Sequence, residues 1–162
     1  MDLGSPEWAA VVARLFNVSS SEVRVADGRV HIGNASYRVD RGVVLLDDRS
    51  VQVETQRGTG EDVRRSFSEE WQAYSAMLPE HDAEFQAYFD VVDLTSLTDA
   101  LVVDLGCGSG RWSAKLAPHC SAIALVDFSD AIFVARDNLA EASNADFCRG
   151  DLTQLPFVDA SV

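Results

Sequence analysis

Residues 101–111 read LVVDLGCGSGR, and this stretch decides the fold. Leu101, Val102, Val103 and Leu105 around Asp104 make the pattern of a short buried strand bounded by a turn. The turn is Gly106-Cys107-Gly108-Ser109-Gly110, and a helical pattern follows at once. Gly106 lets the chain leave the strand tightly, while Gly108 and Gly110 carry no Cβ to hold a ligand off the backbone. The helix end behind them offers free N–H groups and a partial positive charge. Asp104 stands at the strand end, where its carboxylate would face whatever fills the loop.

Spacing separates the ligand classes that use such a loop. A dinucleotide site requires G-x-G-x-x-G. Counted from Gly106 the third glycine position is Arg111, which disfavours an NAD-linked oxidoreductase. A Walker loop fails because no Gly-Lys-Ser/Thr follows. A bare glycine-rich turn with no ligand runs against the stability that glycine costs. What remains, D-x-G-x-G-x-G over Asp104–Gly110, resembles the first motif of class I S-adenosylmethionine-dependent methyltransferases. The resemblance implies that Asp104 and the loop Gly106, Cys107, Gly108 and Gly110 hold the methionine part of S-adenosylmethionine.

From Leu101 onward strand and helix alternate, which implies a parallel sheet with right-handed crossovers. The spacing predicts a helix from about 110 to 117 ending at Pro118, a strand over 122–126, a helix over 130–142 and a strand over 145–149. Asp127 ends the second strand near twenty residues after the loop, where a carboxylate can take both ribose hydroxyls of an adenosine. The plainer role, capping the next helix, already has candidates in Ser129 and Asp130. Phe128 is placed to pack beside adenine or under the loop. The resemblance further implies that Asp151 accepts the adenine amino proton and that the N–H of Leu152 reaches the ring. The run Leu155-Pro156-Phe157-x-Asp159-Ala160-Ser161 resembles the lead-in to the family's fourth strand. That family has a seven-stranded sheet of order 3-2-1-4-5-7-6. The expected fold class is therefore α/β, a Rossmann-like methyltransferase fold with only the N-terminal half of the parallel sheet. Such a half would be a fragment of the family's domain, with an open edge on its first strand that a second chain could cover.

Upstream, Trp8, Val11, Val12, Leu15 and Phe16 fall at helical spacing after Ser5 as N-cap and Pro6. Val23, Val25, Val30 and Ile32 alternate around Asp27-Gly28, a hairpin pattern. The runs 36–39 and 43–46 flank Asp40-Arg41-Gly42. This small β module resembles the zinc-ribbon segment of Trm112-like proteins through Tyr37, Gly42, Val43 and Leu46. Its four cysteine slots hold Asn17, Ser20, Val30 and Gly33, none a zinc ligand, so packing alone must fold it and no metal is expected. The expected organisation is a module over 1–48, a linker over 49–61 and an incomplete methyltransferase domain over 62–162 with two lead-in helices. The first of these, 62–77, carries Phe67, Trp71 and Tyr74 on one face. The second, 81–94, carries Phe85, Phe89 and Val92, with His81 read as a solvated residue rather than a base.

The 162-residue chain has a net charge of -13 and a single lysine, Lys115. Such acidity repels a phosphate backbone, making nucleic acid a poor substrate. No run is long enough to span a membrane, and MDLGSPEW lacks the marks of a signal peptide. Cys107, Cys120 and Cys148 have no metal-ligand spacing and suit reduced thiols of a cytoplasmic protein. The sequence thus points to a methyltransferase acting on a small-molecule or metabolite acceptor, with no residue assigned as catalytic base. The alternative is a module that binds the cofactor without catalysis.

Overall fold

The computed structural model describes residues 2–47 and 77–161. The expected linker over 49–61 and the stripe Phe67, Trp71 and Tyr74 lie outside the described residues. The elements are α1 (Pro6–Phe16), β1 (Val23–Ala26), β2 (Arg29–Ile32), β3 (Ala35–Asp40), β4 (Val43–Leu45), α2 (His81–Tyr88), β5 (Leu101–Leu105), α3 (Arg111–Leu116), β6 (Ala122–Asp127), α4 (Ala131–Asn138) and β7 (Ala145–Arg149). Short 3-10 turns cover Ser20–Glu22, Leu94–Leu97 and Ala117–His119.

All seven strands join one sheet of order β1-β2-β3-β4-β7-β6-β5. β1 to β4 pair antiparallel, and β7, β6 and β5 pair parallel. The three expected parallel strands are extended by the β module, whose β4 lies parallel to β7, with Val44 opposite Cys148 and Leu45 opposite Arg149. The cause is legible in β4, whose three residues are all buried. A strand apolar on both faces belongs inside a sheet, with neighbours on both sides. The small β module thereby gains the core it is too short to build alone. β5 remains at the outer edge.

Local chemistry sets the antiparallel half. Ser5 caps α1 by accepting the Trp8 N–H at 3.1 Å, with Pro6 in the first turn. The β1–β2 turn holds Asp27 at φ 53° and Gly28 at φ 70°, and the β3–β4 turn holds Arg41 at 46° and Gly42 at 80°. Two consecutive positive φ values define the tight hairpin turn whose twist matches its strands. Trp8, Val12 and Ala13 of α1 bury against Val23, Val30, Ile32, Val44 and Leu46 on one face of the sheet. On the opposite face, Val43 and Leu45 pack with Ile123, Leu125, Ile132, Phe133 and Phe147. One strand, β4, therefore feeds both cores.

Of the four residues at the expected cysteine slots, Val30 is fully buried in the apolar layer, and Asn17 caps α1 in the left-handed conformation. Two expected helices end early. The helix expected over 81–94 stops at Tyr88, and beyond it Val91 and Val92 are exposed. The helix expected to reach 142 stops at Asn138, where Leu139 turns inward under the glycine loop. The run 155–161, expected to lead toward a fourth strand, lies against α1. The Val158 N–H donates to the Leu15 carbonyl at 2.9 Å, Arg14 donates to the Ser161 carbonyl at 2.9 Å, and Phe157 meets Phe16 edge-on at 5.5 Å.

Candidate cofactor site

Parallel strands joined by right-handed crossovers all present their C-terminal ends on one side of the sheet, and ligands collect there. Here that side carries the ends of β5, β6 and β7, and with them every site residue expected from sequence. Gly106 leaves β5 at φ 83°, donating its N–H to the Val126 carbonyl at 2.8 Å, and Cys107 donates to the same carbonyl at 3.2 Å. The loop is thereby tied across to β6. Gly108 follows at φ 54°, and its N–H donates to the Asp127 carboxylate at 2.9 Å.

Asp127 also accepts from the Ser129 N–H at 2.8 Å and the Ser129 hydroxyl at 2.7 Å. It therefore holds both the loop and the entry to α4, and Ser129 passes the cap on by accepting the Ala131 N–H at 3.2 Å. Of the two expected capping residues, Ser129 does this work and Asp130 makes no capping bond. Three donors leave lone pairs on the carboxylate for further partners, since two ionised oxygens offer about four acceptor sites.

Asp104, next to last in β5, accepts from the hydroxyl of Ser113, a wholly buried residue in the first turn of α3. Burial raises the Asp104 pKa; the Ser113 bond works against that rise and the charge of Asp127 adds to it. Burial, then Asp127 and Asp104, hold the Cys107 thiol well above its ordinary value. Burial also pushes Cys148 to about 12. Cys107 and Cys148 are therefore kept as thiols, poor nucleophiles and poor metal ligands. Among the described residues no group of three or more His, Cys, Asp or Glu is arranged for a metal ion.

Gly110 packs tightly against α4. The space its missing Cβ leaves is taken by α4: a methyl there would sit 2.8 Å from Leu139 Cδ1 and 3.0 Å from Ala135 Cβ. Its φ of 74° and this close approach make it the joint between α3 and α4. Asn138 reinforces the joint by donating to the Ser109 carbonyl at 2.9 Å. Gly106 faces open room, its nearest neighbour being Leu152 Cδ1 at 3.9 Å. Leu152, half exposed, thus brings the turn after β7 beside the loop. Asp151 closes that turn by accepting the Thr153 N–H at 2.9 Å and the Thr153 hydroxyl at 2.7 Å. Phe128 is half-buried directly after Asp127.

His81 is a correction. Its ring is only 5% exposed, accepts the Leu78 N–H on Nδ1 at 3.1 Å and meets Trp112 edge-on at 6.5 Å. It starts α2 and pins it to α3, as do the ion pair of Asp82 with Lys115 and the contact of Phe85 with Trp112. Sequence reasoning missed Ser113, Asn138 and Arg149 at this site. Arg149 had one visible mark, a guanidinium ending a buried strand in an acidic chain.

Residues 102–162 match the family described as "Methyltransferase domain". No curated protein matches the chain significantly. Among solved structures the chain is similar to phosphoethanolamine N-methyltransferase 1 of Haemonchus contortus in complex with phosphoethanolamine and S-adenosylhomocysteine. Identity there is 24% over 64% of this chain and 25% of that one, with TM-score 0.46. The DhpI complex with S-adenosylhomocysteine shares 22% identity over 60% of this chain and 48% of that one, TM-score 0.48. Magnesium protoporphyrin IX methyltransferase of Synechocystis PCC 6803 with bound S-adenosylhomocysteine shares 23% over 64% and 44%, TM-score 0.35. The chain thus spans between a quarter and about half of those proteins.

S-adenosylmethionine, the cofactor of this class, suits the residues present. The loop is open at Gly106, two carboxylates flank it, and the turn of Asp151 and Leu152 closes the far side. No phosphate-binding lysine is among them, in keeping with a cationic rather than a phosphorylated ligand.

Proposed function

We propose that this chain binds S-adenosylmethionine across the ends of β5, β6 and β7 and transfers its methyl group to a small-molecule or metabolite acceptor. One observation carries the reading: Asp104, the loop 106–110 and Asp127 meet at one end of parallel strands, within the stretch that matches the methyltransferase domain. When bound, the cofactor supplies an electrophilic methyl group on a sulfonium. Asp127 offers two carboxylate oxygens to a ribose diol. Burial raises the Asp104 pKa, and a nearby cation favours its charged form, which suits the cationic methionine end beside it. Asp151, the Leu152 N–H and Phe128 take the adenine. Transfer by in-line displacement asks for placement and exclusion of water rather than a nucleophilic side chain. A net charge of -13 supports an acceptor that is not a polyanion. Reduced thiols at Cys107, Cys120 and Cys148 support a cytoplasmic setting. No described helix is long and apolar enough to cross a membrane.

A second reading, binding without transfer, is favoured by β5, which pairs only with β6 among the described strands and leaves Leu105 54% exposed. In that reading a second chain lies along β5. Calorimetric titration with S-adenosylhomocysteine and a tritiated methyl-transfer assay against small-molecule extracts separate the possibilities. Micromolar binding with transfer supports the first reading, and binding without transfer supports the second. A folded chain that binds nothing removes both.

A further inference from the structure

The N-terminal β module meets the cofactor end of the sheet around Arg149. Arg149 ends β7 opposite Asp127, with a side chain only 13% exposed. Its guanidinium donates through Nε to Asp47 Oδ2 at 3.2 Å and through Nη2 to Asp47 Oδ1 at 3.4 Å. Nη1 donates to Asp130 Oδ1 at 2.9 Å. One side chain thus joins Asp47, two residues past β4, to Asp130 at the N-cap position of α4. A fork that grips one carboxylate with two N–H groups fixes orientation as well as distance.

The backbone repeats the bridge. The Leu46 N–H donates to the Arg149 carbonyl at 2.8 Å, and the Gly150 N–H donates to the Asp127 carbonyl at 2.9 Å. A Cβ on Gly150 would meet Leu46 Cβ at 3.2 Å and Leu155 Cδ2 at 3.3 Å, so the module presses directly on the turn that carries Asp151 and Leu152. On the far side of the same strand pair, Arg41 stacks on Phe133 of α4 at 3.8 Å.

We infer that Arg149 is a positioning residue for the cofactor site: with Asp47 and Asp130 it makes the N-terminal module the backstop that holds the adenine-side turn against Asp127. The inference rests on the cofactor reading above. It assigns the module a part in cofactor affinity, exerted through the Asp47–Arg149–Asp130 bridge and without contact to the reacting atoms.

The test is calorimetric titration of S-adenosylhomocysteine into the full chain, as wild type, Arg149→Met, Asp47→Asn and the double variant, each with its melting temperature. The expected result is a loss of affinity of about tenfold or more for Arg149→Met, a smaller loss for Asp47→Asn, and a double variant scarcely weaker than Arg149→Met, since the two share one bridge. Adenosine alone, used as a probe, should lose affinity by the same factor. A merely structural role would lower the melting temperature and leave the affinity of the folded protein within about twofold of wild type, which overturns the inference. Should Arg149→Met not fold, Asp47→Asn decides, and affinity equal to wild type overturns it. A wild-type chain that binds no S-adenosylhomocysteine removes the cofactor reading and this inference together; wild-type binding with unaffected variants removes this inference alone.

Discussion

The two halves of the sheet are built by different rules, and only one of them yields a site. β1 to β4 are joined by two-residue turns, so consecutive strands run in opposite directions and their loops alternate between the two ends. β5 to β7 are joined by helical crossovers, so all three strands deliver their following loops to one end. Asp104, Asp127 and Asp151 meet for that reason, although 47 residues separate the first from the last. The antiparallel half contributes instead a flank: β4 covers β7, which would otherwise be a second open edge. A binding site here is a property of parallel topology, with the hairpins as its buttress.

Glycine substitutions in the two halves should break that comparison most strongly. Gly110→Ala meets both a left-handed φ and side chains at 2.8 and 3.0 Å. We expect a loss of about 4 kcal/mol, read from urea unfolding, as the sum of left-handed strain and overpacking. A loss under about 1 kcal/mol would show that α4 yields easily.

A pH effect should come next, from Asp146. This residue sits in β7 under α1, 7% exposed, and burial raises its pKa from 3.8 to about 6. The folded state therefore favours the protonated form. The contribution of this group to stability is greatest below pH 4, falls as pH rises toward 6, and stays low above it. The shift corresponds to about 3 kcal/mol at most. Asp146→Asn should flatten this dependence and melt higher than wild type at pH 7.5. Parallel melting curves of the two proteins at pH 7.5 would sink the assignment.

Smaller again is the expected effect of Asp127→Ala, a loss of about 2 kcal/mol in S-adenosylhomocysteine binding, the scale of hydrogen bonds to a charged acceptor. Unchanged affinity would remove the ribose role. Smallest is Gly28→Ala in the first hairpin. Its φ of 70° matches that of Gly110, yet nothing lies within 4 Å of the added methyl. A cost of about 1 kcal/mol, from left-handed strain alone, is expected. Equal losses at Gly28 and Gly110 would mean that packing between α3 and α4 adds nothing.

Much of the site was legible because it is local in sequence. A strand, a three-glycine turn and a helix follow one another within residues 101–116, and Asp127 lies at the end of the next apolar run. The strand over 145–149 and the turn at Asp27-Gly28 emerged with the bounds that period and turn chemistry predict. The failures have a common cause. His81 was placed in solvent because nothing near it in sequence shows Trp112 arriving from α3. The packing of Gly110 against α4 stayed hidden because Leu139, which fills its space, stands 29 positions away.

By itself, the sequence determined the kind of each element and the chemistry at its ends: alternation and glycine placement act through neighbouring residues, where steric rules suffice. Only the tertiary structure decided that β4 lies parallel to β7, that Arg149 ties Asp47 to Asp130, and that the run 155–161 docks on α1. Those pairings join segments up to about 150 residues apart. They are selected by which apolar faces and strand edges remain to be covered, a condition that exists only once the chain has come together.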